Sequence, residues 1–140
     1  MALPDVLKPS PYTALTTGIS SASVANGSTY TGSEIDNTSN RYGAMSIEVV
    51  WSYATAPTAN KTVKVHLLRC LDGTNYEEQG NQTLIAAFSP PADTASHRRV
   101  LRESVPLLAY KFKLAVENVD TAQTLTATVN AYAFNERVED

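Results

Sequence analysis

The side chains of this chain with the means to do chemistry are two histidines, one cysteine and a short acidic turn, and their spacing argues against most of it. His66 and His97 fall on different predicted strands, and neither has a second ligand at helical or hairpin spacing, so no metal set is expected. His66 shares its parity with Lys64 and is expected on the exposed side of its strand. Cys70 lacks a neighbouring general base and reads as a packed thiol at a strand end. No serine nucleophile elbow or glycine-rich phosphate loop is present, and Glu77 and Glu78 are adjacent loop carboxylates without a catalytic context. The Leu71-Asp72-Gly73-Thr74-Asn75-Tyr76 segment offers oxygen ligands but not the acidic spacing of a calcium loop. It reads instead as a tight Asp-Gly reversal in which Asp72 or Asn75 satisfies backbone donors. The expectation is a protein that is not an enzyme and holds no cofactor or metal.

What remains is contact chemistry. His97-Arg98-Arg99-Val100-Leu101-Arg102 is the one basic cluster, readable either as a solvated face or as a contact to an acidic partner. Trp51 shares parity with Ile47 and Val49, which places it in the core, with Tyr53 at the strand end. Tyr12, Tyr30 and Tyr42 lie in or near predicted loops and are better placed for an interface.

The elements that must position these residues are strands. Met45, Ile47, Val49, Trp51 and Tyr53 alternate, as do Val63, Val65 and Leu67, and later Tyr110, Phe112, Leu114 and Val116 against Lys111, Lys113 and Glu117. Alternation and β-branched content predict about eight strands: Ile19–Val24, Tyr30–Ile35, Ala44–Tyr53, Thr62–Cys70, Thr83–Ser89, His97–Val105, Tyr110–Asn118 and Thr124–Phe134. In the last strand small residues face one way and Tyr132 and Phe134 the other, which hints at a covered second face. No run keeps a period of 3.6. The predicted fold is all-β, a single antiparallel sandwich of jelly-roll or Greek-key type over residues 19–140, preceded by an extended arm, residues 1–18, holding Pro4, Pro9 and Pro11.

At 140 residues and 43% hydrophobic content the chain suits one domain with its own core. A net charge of −3 with scattered lysines gives no reason to expect nucleic acid. The start MALPDVLKPSPY lacks a secretion pattern, no apolar run is long enough to cross a bilayer, and the single cysteine cannot pair internally, so cytosolic synthesis is expected. The Asn-x-Ser/Thr triplets at Asn26, Asn37, Asn60 and Asn81 are read as bare loop residues.

The order Ile35-Asp36-Asn37-Thr38, Ala56-Pro57-Thr58-Ala59-Asn60-Lys61-Thr62-Val63, then Leu67 to Glu77, resembles small β-sandwich virion proteins of tailed bacteriophages. Val105-Pro106-Leu107, Lys111-Phe112-Lys113-Leu114, Glu117-Asn118 and Ala131-Tyr132-Ala133-Phe134-Asn135-Glu136 continue it, so that it spans roughly residues 35–138 and omits the arm. The resemblance transfers no catalytic residue. It implies a virion component made in the host bacterial cytoplasm, foremost a head decoration (cement) protein on the capsid surface that clamps neighbouring major capsid subunits. A homo-oligomer would follow, a trimer by analogy. Leu3, Leu7, Pro9 and Tyr12 of the arm are the first candidates for contact, with Arg98, Arg99 and Arg102 second. The alternatives are a neck, tail or head-fibre base component, or a carbohydrate-binding sandwich.

Overall fold

The computed structural model describes residues 13–14 and 18–135. The strands are β1 (Thr13–Ala14), β2 (Ile19–Val24), β3 (Ser28–Thr31), β4 (Ile35–Asp36), β5 (Ala44–Tyr53), β6 (Val63–Cys70), β7 (Leu84–Phe88), β8 (His97–Pro106), β9 (Lys111–Asn118) and β10 (Leu125–Phe134). A 3-10 turn, Asn81–Thr83, precedes β7. In one sheet β10 pairs with β5 and β5 with β8, while β1 and β2 share the other side of β10; in the second, β9 pairs with β6 and β6 with β7, with β3 and β4 sharing the free side of β9. All pairings are antiparallel. Apart from the β6-to-β7 return, each main strand passes to the opposite sheet, which is the jelly-roll winding.

The alternation visible in the sequence decides what lies between the layers. Met45, Ile47, Val49, Trp51 and Tyr53 from β5 and Leu125, Ala127, Val129, Ala131 and Ala133 from β10 meet Val63, Val65, Phe112, Leu114 and Val116 from the facing sheet, all buried. Tyr30–Ile35, expected as one strand, is two. Gly32 N still donates to Leu114 O of β9 at 2.8 Å, but Ser33 N turns to Gly18 O at 3.2 Å, so the chain leaves the β9 ladder there, and a Cβ at Gly32 would run into that Gly18 carbonyl. Thr13–Ala14, inside the span read as the arm, pairs with Ala133 and Tyr132 of β10.

Covering of the outer faces differs from the expectation. On β10 the outward residues from Thr126 to Phe134 are exposed or half-buried. The covered outer face belongs to the other sheet, where His66, Leu68 and Ala115 are buried on the outward parity. His66 is 3% exposed. Its Nδ1 lies 2.9 Å from Thr83 Oγ1 and its Nε2 3.0 Å from Glu117 Oε1, because the segment leading into the 3-10 turn folds over β6 and β9. Parity placed His66 on the correct face; a non-local segment then buried it.

Two buried asparagines tie the ends. Asn37 donates to Tyr42 O and Leu108 O at 3.0 and 2.8 Å and accepts from Tyr42 N at 2.9 Å. At the other end Asn118 donates to Val24 O and Gln123 O at 2.9 and 2.8 Å, while its Oδ1 accepts from the Thr121 hydroxyl at 2.6 Å. No buried side-chain polar atom among the described residues lacks a partner. Asn118→Ala removes the donor to Val24 O and Gln123 O and one acceptor of the Thr121 hydroxyl, which keeps only its 3.1 Å bond to Gln123 O, and about 2–4 kcal/mol of stability should be lost. Asn40→Ala on an exposed loop should lie within about 0.5 kcal/mol of wild type. Urea denaturation of both variants measures the difference.

Candidate functional site

Two regions of the described residues gather charged, aromatic or exposed apolar side chains. The first is the flank where the edge strands β7 and β8 of the two sheets lie side by side. Pairing of Trp51 with His97 and of Val49 with Arg99 turns those two β8 side chains toward the gap between the sheets. There His97 stacks on Trp51 with ring centroids 5.2 Å apart, and the Arg99 guanidinium sits 5.7 Å from the centre of the same ring. Phe88 of β7 meets Trp51 at 4.5 Å. Further along, Arg102 donates to Ile85 O of β7 at 3.0 Å and to Ser104 O at 3.3 Å. The open side of the sandwich is thus closed by the polar ends of β8 side chains.

Arg98 faces outward and reaches Glu48 Oε1 at 3.4 Å. Glu48 also accepts from Asn130 Nδ2 at 3.2 Å. Arg98, Arg99 and Arg102 are all exposed, so the basic run has intramolecular work and a solvent-facing charge at once. Val100 lies among them, 56% exposed. A cleft of about 250 Å3 opens beside Arg102, walled by Leu67, Ile85, Val105, Pro106 and Tyr110, with Arg69 also lining it. Arg69 is already engaged, forked onto the Glu77 carboxylate, whose pKa that pairing lowers.

The second region is the end of the sandwich bearing the 37–43 and 107–110 loops and the turn after β6. Thr13 pairs with Ala133, and Phe134 with Ala44, so both described ends of the chain lie here. Two leucines at loop tips, Leu71 and Leu108, are 78% and 70% exposed, the most exposed of the large apolar side chains among the described residues. Sequence reasoning missed both, since an isolated leucine beside a turn carries no pattern. Leu3, Leu7, Pro9 and Tyr12 fall outside the described residues. Of the interface tyrosines, Tyr30 is exposed and Tyr42 packs on the core.

The remaining chemical candidates have structural partners. Asp72 accepts from Thr74 N and Asn75 N at 2.8 and 2.7 Å, with Asn75 Nδ2 at 2.8 Å, the reversal read from the sequence. Gly73 supplies the positive φ of 82° that the turn needs. Cys70 is a buried free thiol. Among the described residues no three His, Cys, Asp or Glu side chains stand together as a metal set. Tyr76 donates to the Glu34 carboxylate, under the Lys113 ammonium at 4.3 Å from its ring.

No protein-family model and no curated protein matches the chain. Solved structures to which it is similar include infectious bursal disease virus, Gx strain, at 12% identity over 92% of this chain and 33% of that one, with a TM-score of 0.49. Eiger TNF from S. frugiperda is 15% identical over 94% and 97% of the two chains, at 0.47. Dimeric latent PorU from Porphyromonas gingivalis is 16% identical over 82% of this chain and only 11% of its own length, at 0.46. At these identities and scores nothing about a ligand or partner follows.

The Asp72 turn gives a pH signature. Hydrogen bonds from Asn75, backbone first, hold the carboxyl down at about 2, below its ordinary 3.8. Because the folded pKa is depressed, the contribution of the carboxylate is present above the ordinary value and lost as pH falls through about 2. The Asp72 carboxyl carbon followed by NMR should titrate with a midpoint near 2, and Asn75→Ala should move it upward.

Proposed function

We propose that this chain is a non-enzymatic structural component of a tailed-bacteriophage virion, a head decoration protein that sits on the outside of the shell and holds neighbouring major capsid subunits together. The observation that carries this reading is where the sandwich can make contact. All of its sheet edges are irregular. β8 takes two register shifts against β5, β2 one against β10 and β7 one against β6, while the β3–β4 edge is broken. Bulged and interrupted edges resist addition of a foreign strand. Contact is left to side chains and chain ends, and both described ends emerge beside the exposed Leu71 and Leu108.

A rigid two-layer body with its contact groups at one end suits a clamp. Leu3, Leu7, Pro9 and Tyr12 precede Thr13, which pairs at that end, and are assigned the contact with the shell. Arg98 and Arg99 on the flank supply a second contact to an acidic surface. Binding to the assembled shell alone stabilises it by mass action, in proportion to the logarithm of concentration over Kd.

Co-sedimentation with expanded heads of the phage that encodes the chain tests the reading. Full-length protein should bind saturably. A variant lacking residues 2–12 should keep its unfolding midpoint and bind at least tenfold more weakly, about 1.4 kcal/mol. Unchanged binding by the truncated protein would remove the arm from the contact, and failure of the full chain to bind any head form would remove the decoration role.

A further inference from the structure

We propose that the β7–β8 flank is a docking groove for an extended acidic segment of a partner protein, one with carboxylates at two alternate positions and an aliphatic side chain two residues further on. This rests on the flank contact assigned above and specifies the chemistry that meets it. The bulges of β8 set the geometry of the groove. In a regular strand, residues three apart point to opposite faces. Register shifts on either side of Ile47 change that: Arg99 pairs with Val49, Arg102 with Ile47 and Val105 with Met45, so every third residue of β8 meets the next inward-facing residue of β5. Arg99 and Arg102 are thereby aimed along one side, the first 5.7 Å from the centre of the Trp51 ring and the second donating across the gap to Ile85 O. Val105 follows on that side as a wall of the cleft of about 250 Å3. Steps of two residues on β5 set the three positions about 7 Å apart.

These three positions call for acid, acid and apolar. Of the carboxylates around the flank, Glu48 is taken by Arg98, Glu77 by Arg69 and Asp93 by His97. Among the described residues no carboxylate pairs with Arg99 or Arg102, both of which are exposed; Arg102 spends two N–H groups on the carbonyls of Ile85 and Ser104. A planar guanidinium forks onto a single carboxylate, whereas a continuous polyanion such as nucleic acid would also meet Glu48, Glu77 and Asp93. An extended segment sets alternate side chains on one side about 7 Å apart, the spacing of Arg99, Arg102 and the cleft. The cleft, walled by Leu67, Ile85 and Val105, is smaller than sites that enclose whole small molecules and takes one branched aliphatic side chain. Because the bulged edge denies the segment a main-chain ladder, side chains carry its recognition.

Fluorescence anisotropy with the full chain and two labelled peptides, one containing Asp-Thr-Asp-Thr-Leu and one its reverse, tests the groove without any phage head. One of the two should bind saturably. Arg99→Gln and Arg102→Gln should each weaken it roughly threefold to tenfold, and serine in place of the peptide's leucine by about tenfold or more. Lys61→Gln, which removes a cation paired with Asp120 at the opposite end, should bind as wild type. Arg102→Gln also gives up two carbonyl partners, so chemical-shift mapping on the 15N-labelled wild-type chain supplies a reading that needs no variant: the Ile85, Arg102, Val105 and Tyr110 amides should move on peptide addition. Absence of saturable binding by either peptide, or shifts confined to other parts of the sandwich, would overturn the proposal. Binding indifferent to the leucine would overturn the assignment of the cleft, and an equal loss in Lys61→Gln would reduce the contact to net charge and overturn the site. Binding of the chain to heads without binding of either peptide would overturn the groove and leave the decoration reading standing.

Discussion

Burial of one parity of each sheet against the other is the interaction on which everything else in this molecule depends. Ile47, Val49, Val129, Val65, Phe112, Leu114 and Val116 have no exposed surface, and none belongs to a pair of strands adjacent in the chain alone; they come from β5, β6, β9 and β10, brought together by crossings between the layers. Apolar area removed from water scales at roughly 25 cal/mol per Å2, so this inner face dominates the favourable side of folding. The crossings it demands expose backbone groups at both ends of the sandwich, and Asn37 and Asn118 satisfy them with side-chain amides. Core and polar ties are therefore parts of one solution: the first pulls the sheets together, and the second makes the connecting loops compatible with burial.

A two-layer sandwich has edges, and this one disables them. The register shifts on β2, β7 and β8 and the break between β3 and β4, where Ser33 N turns to Gly18 O, leave no long regular edge among the described residues. On the β7–β8 side the remaining gap is covered by His97 and Arg99 on Trp51 and by Arg102 on a β7 carbonyl. The same residues close the fold and leave positive charge facing solvent. The bulges on β8 also make that edge a poor template for strand addition.

Much of this was legible in the sequence. Ile19–Val24 and Ala44–Tyr53 are strands with the bounds that alternation predicts, and the other main strands differ by about a residue at an end. The Asp72 reversal was readable because its hydrogen bonds are local. What local pattern could not supply was non-local. The burial of His66 comes from Thr83 and Glu117 on other elements, the division of Tyr30–Ile35 from the Gly18 backbone, and the roles of Arg99 and Arg102 from Trp51 and Ile85. The exposed Leu71 and Leu108 belong to no periodicity at all. The arm residues Leu3, Leu7, Pro9 and Tyr12 lie outside the described residues, so their place in the account rests on the sequence and on Thr13 entering at the loop-bearing end.

Hydrogen–deuterium exchange of the protein, alone and mixed with expanded heads, tests the central proposal that the principal contact is made by one end of a rigid sandwich, with the Arg98 and Arg99 flank of β8 second. The account predicts protection on binding in the arm and in the 37–43 and 107–110 loops, with the amides of β5, β6, β9 and β10 unchanged. Protection confined to the opposite end, at the 54–62 and 119–124 loops, would contradict it.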